Sequence, residues 1–495
     1  MKWKQVEIHE SRSKLSREEI VKGLLNILPK EQVITDEQTL KENSCDRFRK
    51  YPSKGFGIYT LPYPAAVVKV KSTEEVAKVL KFLNENKINC VPRTGSTATE
   101  GGLETTVKDS VVVDGSLMKK VIKIDEEAMQ VTGECGVILG DLEDKLRSMG
   151  YTTGHSPQSK PQAQLGGLVA TRSIGQLSTY YGAIEDMIVG VEAVFPDGTI
   201  TRIKNVPRRS AGPDIRHVIV GNEGTLCYIT EVTIKIFKYM PENMVYLGWK
   251  IDDMHKGLDI IREIIVSGLR PSLCRVYSEE DAHQHFYAWH EGKCVLTFAT
   301  EGLASVAKAA SEEIIKIVEK YQGVERVDPK LIENWFSNLC WGQDKIDAET
   351  ADMKANHRLG YTTEVSGTWA VIKQIYDNCI ARIKKDFAHM DDITMLGAHS
   401  SHSYQNGTNL YFVYDYNINC KPEDEINEYH IPLNAMIVEE TLKAGGSMCH
   451  HHGIGKYRTE WTKEEHGSAY YILEKLKKTF DPNDIMNKGS IFRDN

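Results

Sequence analysis

Three consecutive histidines stand in the stretch SMCHHHGIGKYRTEW, residues 447–461. Imidazole exchanges a proton near its unperturbed pKa of about 6.5 and also ligates metals, so the run admits three readings: a metal centre, a tag-like run, or proton-transfer apparatus. On an extended chain neighbours point to opposite faces, and at most two of His450, His451 and His452 can then share a site. No Cys-x2-Cys or His-x3-His partner lies beside them, which disfavours a metal and leaves only His399 or His402 as distant helpers. The internal position excludes a tag, and acid–base work leads. Gly453 and Gly455 permit a tight turn, while Lys456 and Arg458 either offer charge to an anion or face solvent. Cys449 is either a poised thiolate or, more commonly for a lone cysteine, small apolar filler.

The chain that must position these groups has 495 residues, 41% hydrophobic and 26% charged, enough for two or three domains around a large ligand. Its net charge of -8, with no Lys/Arg block, excludes nucleic acid or an anionic membrane as the main partner and favours a small molecule. The N-terminal stretch lacks the apolar core of a signal peptide and no apolar run approaches spanning length, so a cytosolic location is expected. The 10 cysteines are scattered without a disulfide-like pattern and read as reduced and mostly buried.

From residue 61 a strand, a helix and a second strand lead into a glycine-rich loop. Ser72 caps a helix with Val76, Val79, Leu80 and Leu83 on one face, between apolar strands at 66–70 and 88–91. The loop that follows, PRTGSTATEGG at 92–102, suits a pyrophosphate because glycines turn backbone N–H groups toward an anion and hydroxyls add donors. It is neither a Walker A sequence nor a GxGxxG turn. Two further small-residue loops, LGGLVATRSIGQLSTYYGAIEDM and VIVGNEGTLCYITEVTIKI, would line the same cleft. Beyond residue 240 strands and helices alternate in mixed order, the pattern of an α+β domain with a helix-covered sheet.

The succession of these three loops resembles the FAD-binding domain of the vanillyl-alcohol oxidase, or PCMH-type, superfamily, and is most similar to alkylglycerone-phosphate synthases and bacterial FAD-linked oxidases, from roughly residue 60 onward. The resemblance implies an α+β fold: an N-terminal helical segment at 1–55, a FAD domain of two α+β subdomains at 56–237, a cap with a mixed or antiparallel sheet covered by helices at 238–445, and a return to the FAD domain at 446–495. Covalent members carry a linking histidine in the loop matching 93–102; none occurs here, so noncovalent FAD is expected. By motif position Pro92, Arg93, Thr94, Gly95, Ser96, Thr97 and Ala98 would take the pyrophosphate. Pro157, Gln158, Ser159, Gln162, Gly166, Gly167, Ala170, Thr171, Ser173 and Gly175 would follow the flavin and ribityl chain, and Glu223, Gly224 and Ile229 would reach the adenine side.

The same resemblance makes HHHGIGK a substrate-side element and Tyr411, in SHSYQNGTNLYFVYDY, a residue that supports proton transfer. Alternation places Tyr411 and Val413 on one strand face and Leu410 and Phe412 on the other. In YTTEVSGTW, Glu364 and Ser366 occupy pocket positions, or alternatively Ser366 caps a helix. Where relatives carry an arginine for the substrate anion, DMKANHRLG offers only Lys354 and Arg358, and Lys456 is a further candidate. Two mechanisms fit: oxidation of an alcohol or 2-hydroxy acid with an unknown electron acceptor, placed first, and acyl-to-alkyl exchange as in the synthases, placed second. A non-enzymatic FAD-binding module ranks below both, and a homodimer is expected.

Overall fold

The computed structural model describes residues 6–493, so residues 1–5 of the N-terminal segment and 494–495 of the C-terminal one lie outside the described residues. The apolar strands read at 66–70 and 88–91 join two others in a four-stranded sheet with the spatial order Val33–Ile34, Ala66–Lys69, Val111–Asp114, Cys90–Arg93. The last three are parallel, which sets the glycine-rich loop at the carboxyl end of Cys90–Arg93, where open α/β sheets bind ligands. The crossover helix Thr73–Glu85 begins with the Ser72 side chain accepting from the Glu75 N–H and buries Val76, Val79, Leu80 and Leu83. A second, five-stranded antiparallel sheet runs Val121–Asp125, Gln130–Glu134, Tyr228–Lys235, Ile188–Val194, Ile200–Ile203.

The third sheet has eight strands, antiparallel throughout, in the order Val324–Arg326, Val245–Ile251, Cys294–Thr300, Leu273–Tyr277, Ile393–Ser400, Gly407–Asn417, Arg358–Thr368, with Ser403–Tyr404 beside Gly407–Asn417. Leu410 and Phe412 are fully buried on its helix-covered side with Tyr414 and Tyr416, each such burial of Leu or Phe contributing about 1.5–3 kcal/mol. Pairing fixes what the opposite face presents. Tyr277 lies across from His399, His399 from Tyr411, and Tyr411 from Glu364. Since alternate residues share a face, Arg275 joins that row. The helix-start reading of 361–369 is corrected: residues 361–368 continue the 11-residue strand Arg358–Thr368, the helix begins at Ile372, and Ser366 pairs its backbone with Ser447 rather than capping.

Residues after 446 close back on the first sheet. The Cys90 N–H donates to the Ile485 carbonyl at 2.7 Å, and the Asn487 N–H donates to the Cys90 carbonyl at 2.8 Å.

Candidate active site

Between the two smaller sheets and the polar face of the large one lies a cavity of about 540 Å³. Its wall includes Pro92, Arg93, Thr94, Gly95, Ser96, Thr97 and Ala98, then Pro157, Gln158, Ser159, Gly166, Gly167, Ala170, Thr171 and Ser173, then Glu223, Gly224 and Ile229. Two of the residues expected to follow the flavin lie off it. The Gln162 side chain donates to Gln343 at 3.3 Å, and Gly175 packs on the backbone of Ser156. Arg93 reaches the wall, but its guanidinium donates to Asn43 Oδ1 at 2.9 Å and the Leu103 carbonyl at 3.1 Å, which braces the loop from behind. Among the described residues, the N–H groups of Thr94 to Thr99 have no protein acceptor although they border the cavity. Ser96 sits in the left-handed region at φ 56. Six consecutive open donors on a strand-to-loop turn fit the pyrophosphate of a dinucleotide.

The histidine run is not extended. It winds around the fully buried Glu364, whose carboxylate accepts the backbone N–H groups of His450, His451 (3.1 Å) and His452 (2.8 Å) and a 3.1 Å bond from Arg458. Burial pushes the Glu364 pKa up, but Arg458 and the adjacent His452 and His450 outweigh it and hold the carboxyl below its usual range. Glu364, His450 and His451 offer ligand atoms within 4.8 Å of one another, yet the carboxylate oxygens are already taken by these donors, so Glu364 serves as the anchor of the loop. The loop stays tight because Gly453 and Gly455 have φ of 87 and 52; a Cβ on Gly453 would lie 2.8 Å from Glu223 Oε1. Glu223, expected toward adenine, instead accepts the Ile454 and Gly455 N–H groups at 2.7 Å each. Arg458 also pairs with Glu100 at 2.9 Å, a buried clamp between the loop and residue 100.

His451 and His452 reach the cavity wall, whereas His450 turns away to Tyr404, Nε2 to hydroxyl 2.7 Å. Lys456 is a correction to the substrate set. It is 8% exposed, off the wall, and donates to Asn487 Oδ1 at 2.8 Å, Gly102 O at 3.2 Å and Ser490 Oγ at 3.3 Å. Lys354 is exposed on the helix Gln343–Asn356, also off the wall, and Ser366 lies at the bridge to Ser447. Arg358 does border the cavity, 3.8 Å from Asp415.

Tyr411 stands at the centre of the polar face. Its ring stacks between His399 (centroids 4.8 Å apart) and His451 (5.7 Å). Its hydroxyl lies 3.1 Å from His452 Nε2 and accepts from Thr362 at 3.0 Å. Burial raises its pKa to about 12, so the phenol keeps its proton at neutral pH. Burial drives His451 well below its ordinary value, helped by His452 and His450, so its ring is neutral. Two groups brought here, Arg275 and Asp281, escaped the reading from sequence, and two more, His399 and His402, entered it only as distant helpers of a metal. Arg275 is 1% exposed, donates to Gln176, lies 5.1 Å from the Tyr277 ring and 5.5 Å from the Trp335 ring, and borders the cavity. Among the described residues no carboxylate approaches it within ion-pair distance.

Residues 64–204 match the family described as FAD binding domain, and residues 240–491 match FAD linked oxidases, C-terminal domain. The FAD-linked oxidoreductase YgcU of Escherichia coli O157:H7 is 63% identical over 479 residues, covering 97% of this chain and 99% of that protein. The mitochondrial D-lactate dehydrogenase [cytochrome] of Arabidopsis thaliana is 28% identical over 488 residues, 96% of this chain and 82% of that one. Two solved structures share the fold. An alkyldihydroxyacetonephosphate synthase superposes with a TM-score of 0.75 at 22% identity, covering 100% of this chain and 88% of its own. A p-cresol methylhydroxylase does so with 0.76 at 16%, covering 98% and 99%. Open loop donors, a cavity between FAD-type and cap sheets, and sequence likeness along nearly the whole chain converge: this protein belongs to the FAD-linked oxidases and is an FAD-dependent oxidoreductase.

Proposed function

We propose that the enzyme oxidises a small 2-hydroxy acid to the corresponding 2-keto acid, with FAD held noncovalently. One observation carries this reading: a buried guanidinium, Arg275, borders the cavity without a carboxylate partner. A charge taken out of water is costly unless paired, and a substrate carboxylate supplies the pair. FAD, when bound, supplies the two-electron oxidant. Thr94 to Thr99 would hold its pyrophosphate, and the segments 157–159 and 166–173 its flavin side.

The chain's own groups then divide the work. Arg275 fixes the carboxylate, which orients the neighbouring carbinol toward Tyr411, His451 and His452. These present a phenol proton, the neutral His451 ring and the His452 ring to the hydroxyl, and the surrounding burial excludes water. Gln284, His285, Arg358 and Asp415 on the same wall favour a short, hydroxylated acid over a fatty chain. A second reading, acyl-to-alkyl exchange, draws support from the Tyr411–His452 contact on the histidine loop that resembles the synthase element. Anaerobic mixing of the flavin-loaded protein with hydroxy acids and with acylglycerone phosphates separates the two. Bleaching of the flavin band by a hydroxy acid supports oxidation, fatty-acid release without bleaching supports exchange, and neither response overturns both. The cytosol is the proposed location; among the described residues no helix is long and apolar enough to cross a membrane.

A further inference from the structure

The cavity wall carries five imidazoles, from His285, His399, His402, His451 and His452. Their second nitrogens are held differently. His452 Nε2 meets the Tyr411 hydroxyl at 3.1 Å, while its Nδ1 lies 3.4 Å from Glu100 without a hydrogen bond among the described residues. His451 Nδ1 meets another imidazole, His450 Nδ1, at 2.9 Å, with Glu364 Oε2 farther off at 3.8 Å. His402 Nδ1 meets the Ser178 hydroxyl at 2.8 Å. Among the described residues of this wall, His399 is the one whose Nδ1 stands at hydrogen-bond distance from a buried carboxylate, Asp281 Oδ2 at 2.6 Å, and its Nε2 has no protein hydrogen-bond partner. Asp281 is fully buried at the start of the helix Glu279–Phe286, and its other oxygen lies 3.3 Å from His285 Nε2. A carboxylate on Nδ1 keeps the proton there and leaves Nε2 as a lone-pair acceptor on a ring that borders the cavity, as in hydrolase triads.

We propose that His399, oriented by Asp281, is the base that takes the hydroxyl proton of the substrate. The inference rests on the 2-hydroxy-acid reading above and deepens it. The substrate O–H and C–H bonds break and the C=O bond forms; the proton goes to His399 Nε2, and the carbon-bound hydrogen leaves with its two electrons for oxidised FAD, which is thereby reduced. His399 is the catalytic residue and Asp281 the positioning residue. Row geometry supports the assignment, because the strand pairing sets His399 between Tyr277 and Tyr411 on the face that also carries Arg275, so one substrate can bridge anchor and base. The groups that face the ring are Asp281 and His285 from the helix, Arg275 and Tyr277 from the adjoining strand, and Tyr411 from the other. Burial lowers the His399 pKa to about 4, Asp281 opposing and Arg275 adding, so the ring is neutral at physiological pH.

The test is the rate of anaerobic flavin reduction in His399→Gln and Asp281→Asn, together with the imidazole 15N spectrum of the flavin-free and flavin-loaded protein. Expected are flavin content unchanged, reduction slowed about 10²- to 10⁴-fold in His399→Gln, and a smaller loss in Asp281→Asn accompanied by an altered acid limb of the pH profile. The wild-type spectrum should show His399 protonated at Nδ1 and bare at Nε2. A His399→Gln rate within about threefold of wild type overturns the assignment, since a general base contributes far more. Should no hydroxy acid bleach the wild-type flavin, the substrate reading falls, and the spectrum still decides the base: a ring protonated at Nε2 overturns it. If His399→Gln fails to fold, Asp281→Asn and the spectrum carry the test.

Discussion

Replacing Arg275 with methionine should move stability and ligand affinity in opposite directions. The guanidinium is 1% exposed and has no carboxylate within ion-pair distance among the described residues, so its charge is desolvated without a matching anion. What it gains is the bond to Gln176 and two contacts with the Tyr277 and Trp335 rings, each cation–π contact worth about 0.5–2 kcal/mol. Burying a charge costs several kcal/mol after relaxation, so an apolar isostere of similar volume should leave the substrate-free protein equally or more stable. Losing one partner of a desolvated charge pair weakens binding by about 2–5 kcal/mol, which is roughly 30- to 4,000-fold in affinity. The assay pairs thermal unfolding of the flavin-loaded protein with titration of the flavin spectrum by the reactive hydroxy acid's keto product. A variant that loses several degrees of Tm yet binds the acid as tightly as wild type would refute the reasoning and make Arg275 a structural cation.

Glu364→Gln should destabilise the protein by about 3–5 kcal/mol, because it strips a buried partner from Arg458 and sets an NH2 against the His450 and His451 N–H donors; an unchanged Tm would contradict the cradle. Gly95→Ala should yield protein depleted of flavin, since the added Cβ would sit 2.8 Å from the Gln162 carbonyl and 2.9 Å from the Gln164 N–H and must shift the loop; a full flavin absorbance after purification would count against its role. Burial raises Glu223 to about 7, so between its ordinary 4.5 and 7 the folded protein holds a proton that the unfolded chain releases. Its contribution is complete below pH 4.5 and is lost as pH rises through 7; in Glu223→Gln the wild-type fall in Tm over that window should shrink.

Local chemistry in the sequence was enough to find the loop at 92–102, the strand alternation of Tyr411 and Val413, and the histidine run, because glycine content, period-two patterning and imidazole are each visible within a few residues. What escaped depends on register between distant strands. Arg275 and His399 sit in SLCRVY and LGAHSS, stretches with no motif, and acquire meaning only when Val276 pairs with Ser400 and His399 with Tyr411. Lys456 was assigned to a ligand because charge near a glycine turn suggests one, and Glu223 because of its motif position in the resemblance. In the fold their partners are Asn487 and the backbone of residues 454–455, choices made by tertiary closure rather than by local sequence. The three histidines do divide two and one as alternation suggests, but for a different reason: the chain wraps a carboxylate instead of extending.

The clamp from Arg458 to Glu100 spans 358 positions of sequence. A ribosome therefore releases the glycine-rich loop long before it makes the segment that finishes the wall opposite. The histidine loop, with its N–H groups on Glu364, is among the last parts of the wall to be synthesised. The cavity therefore cannot be closed until nearly the whole chain has been made, since its first sheet also waits for Ile485 and Asn487 to pair with Cys90.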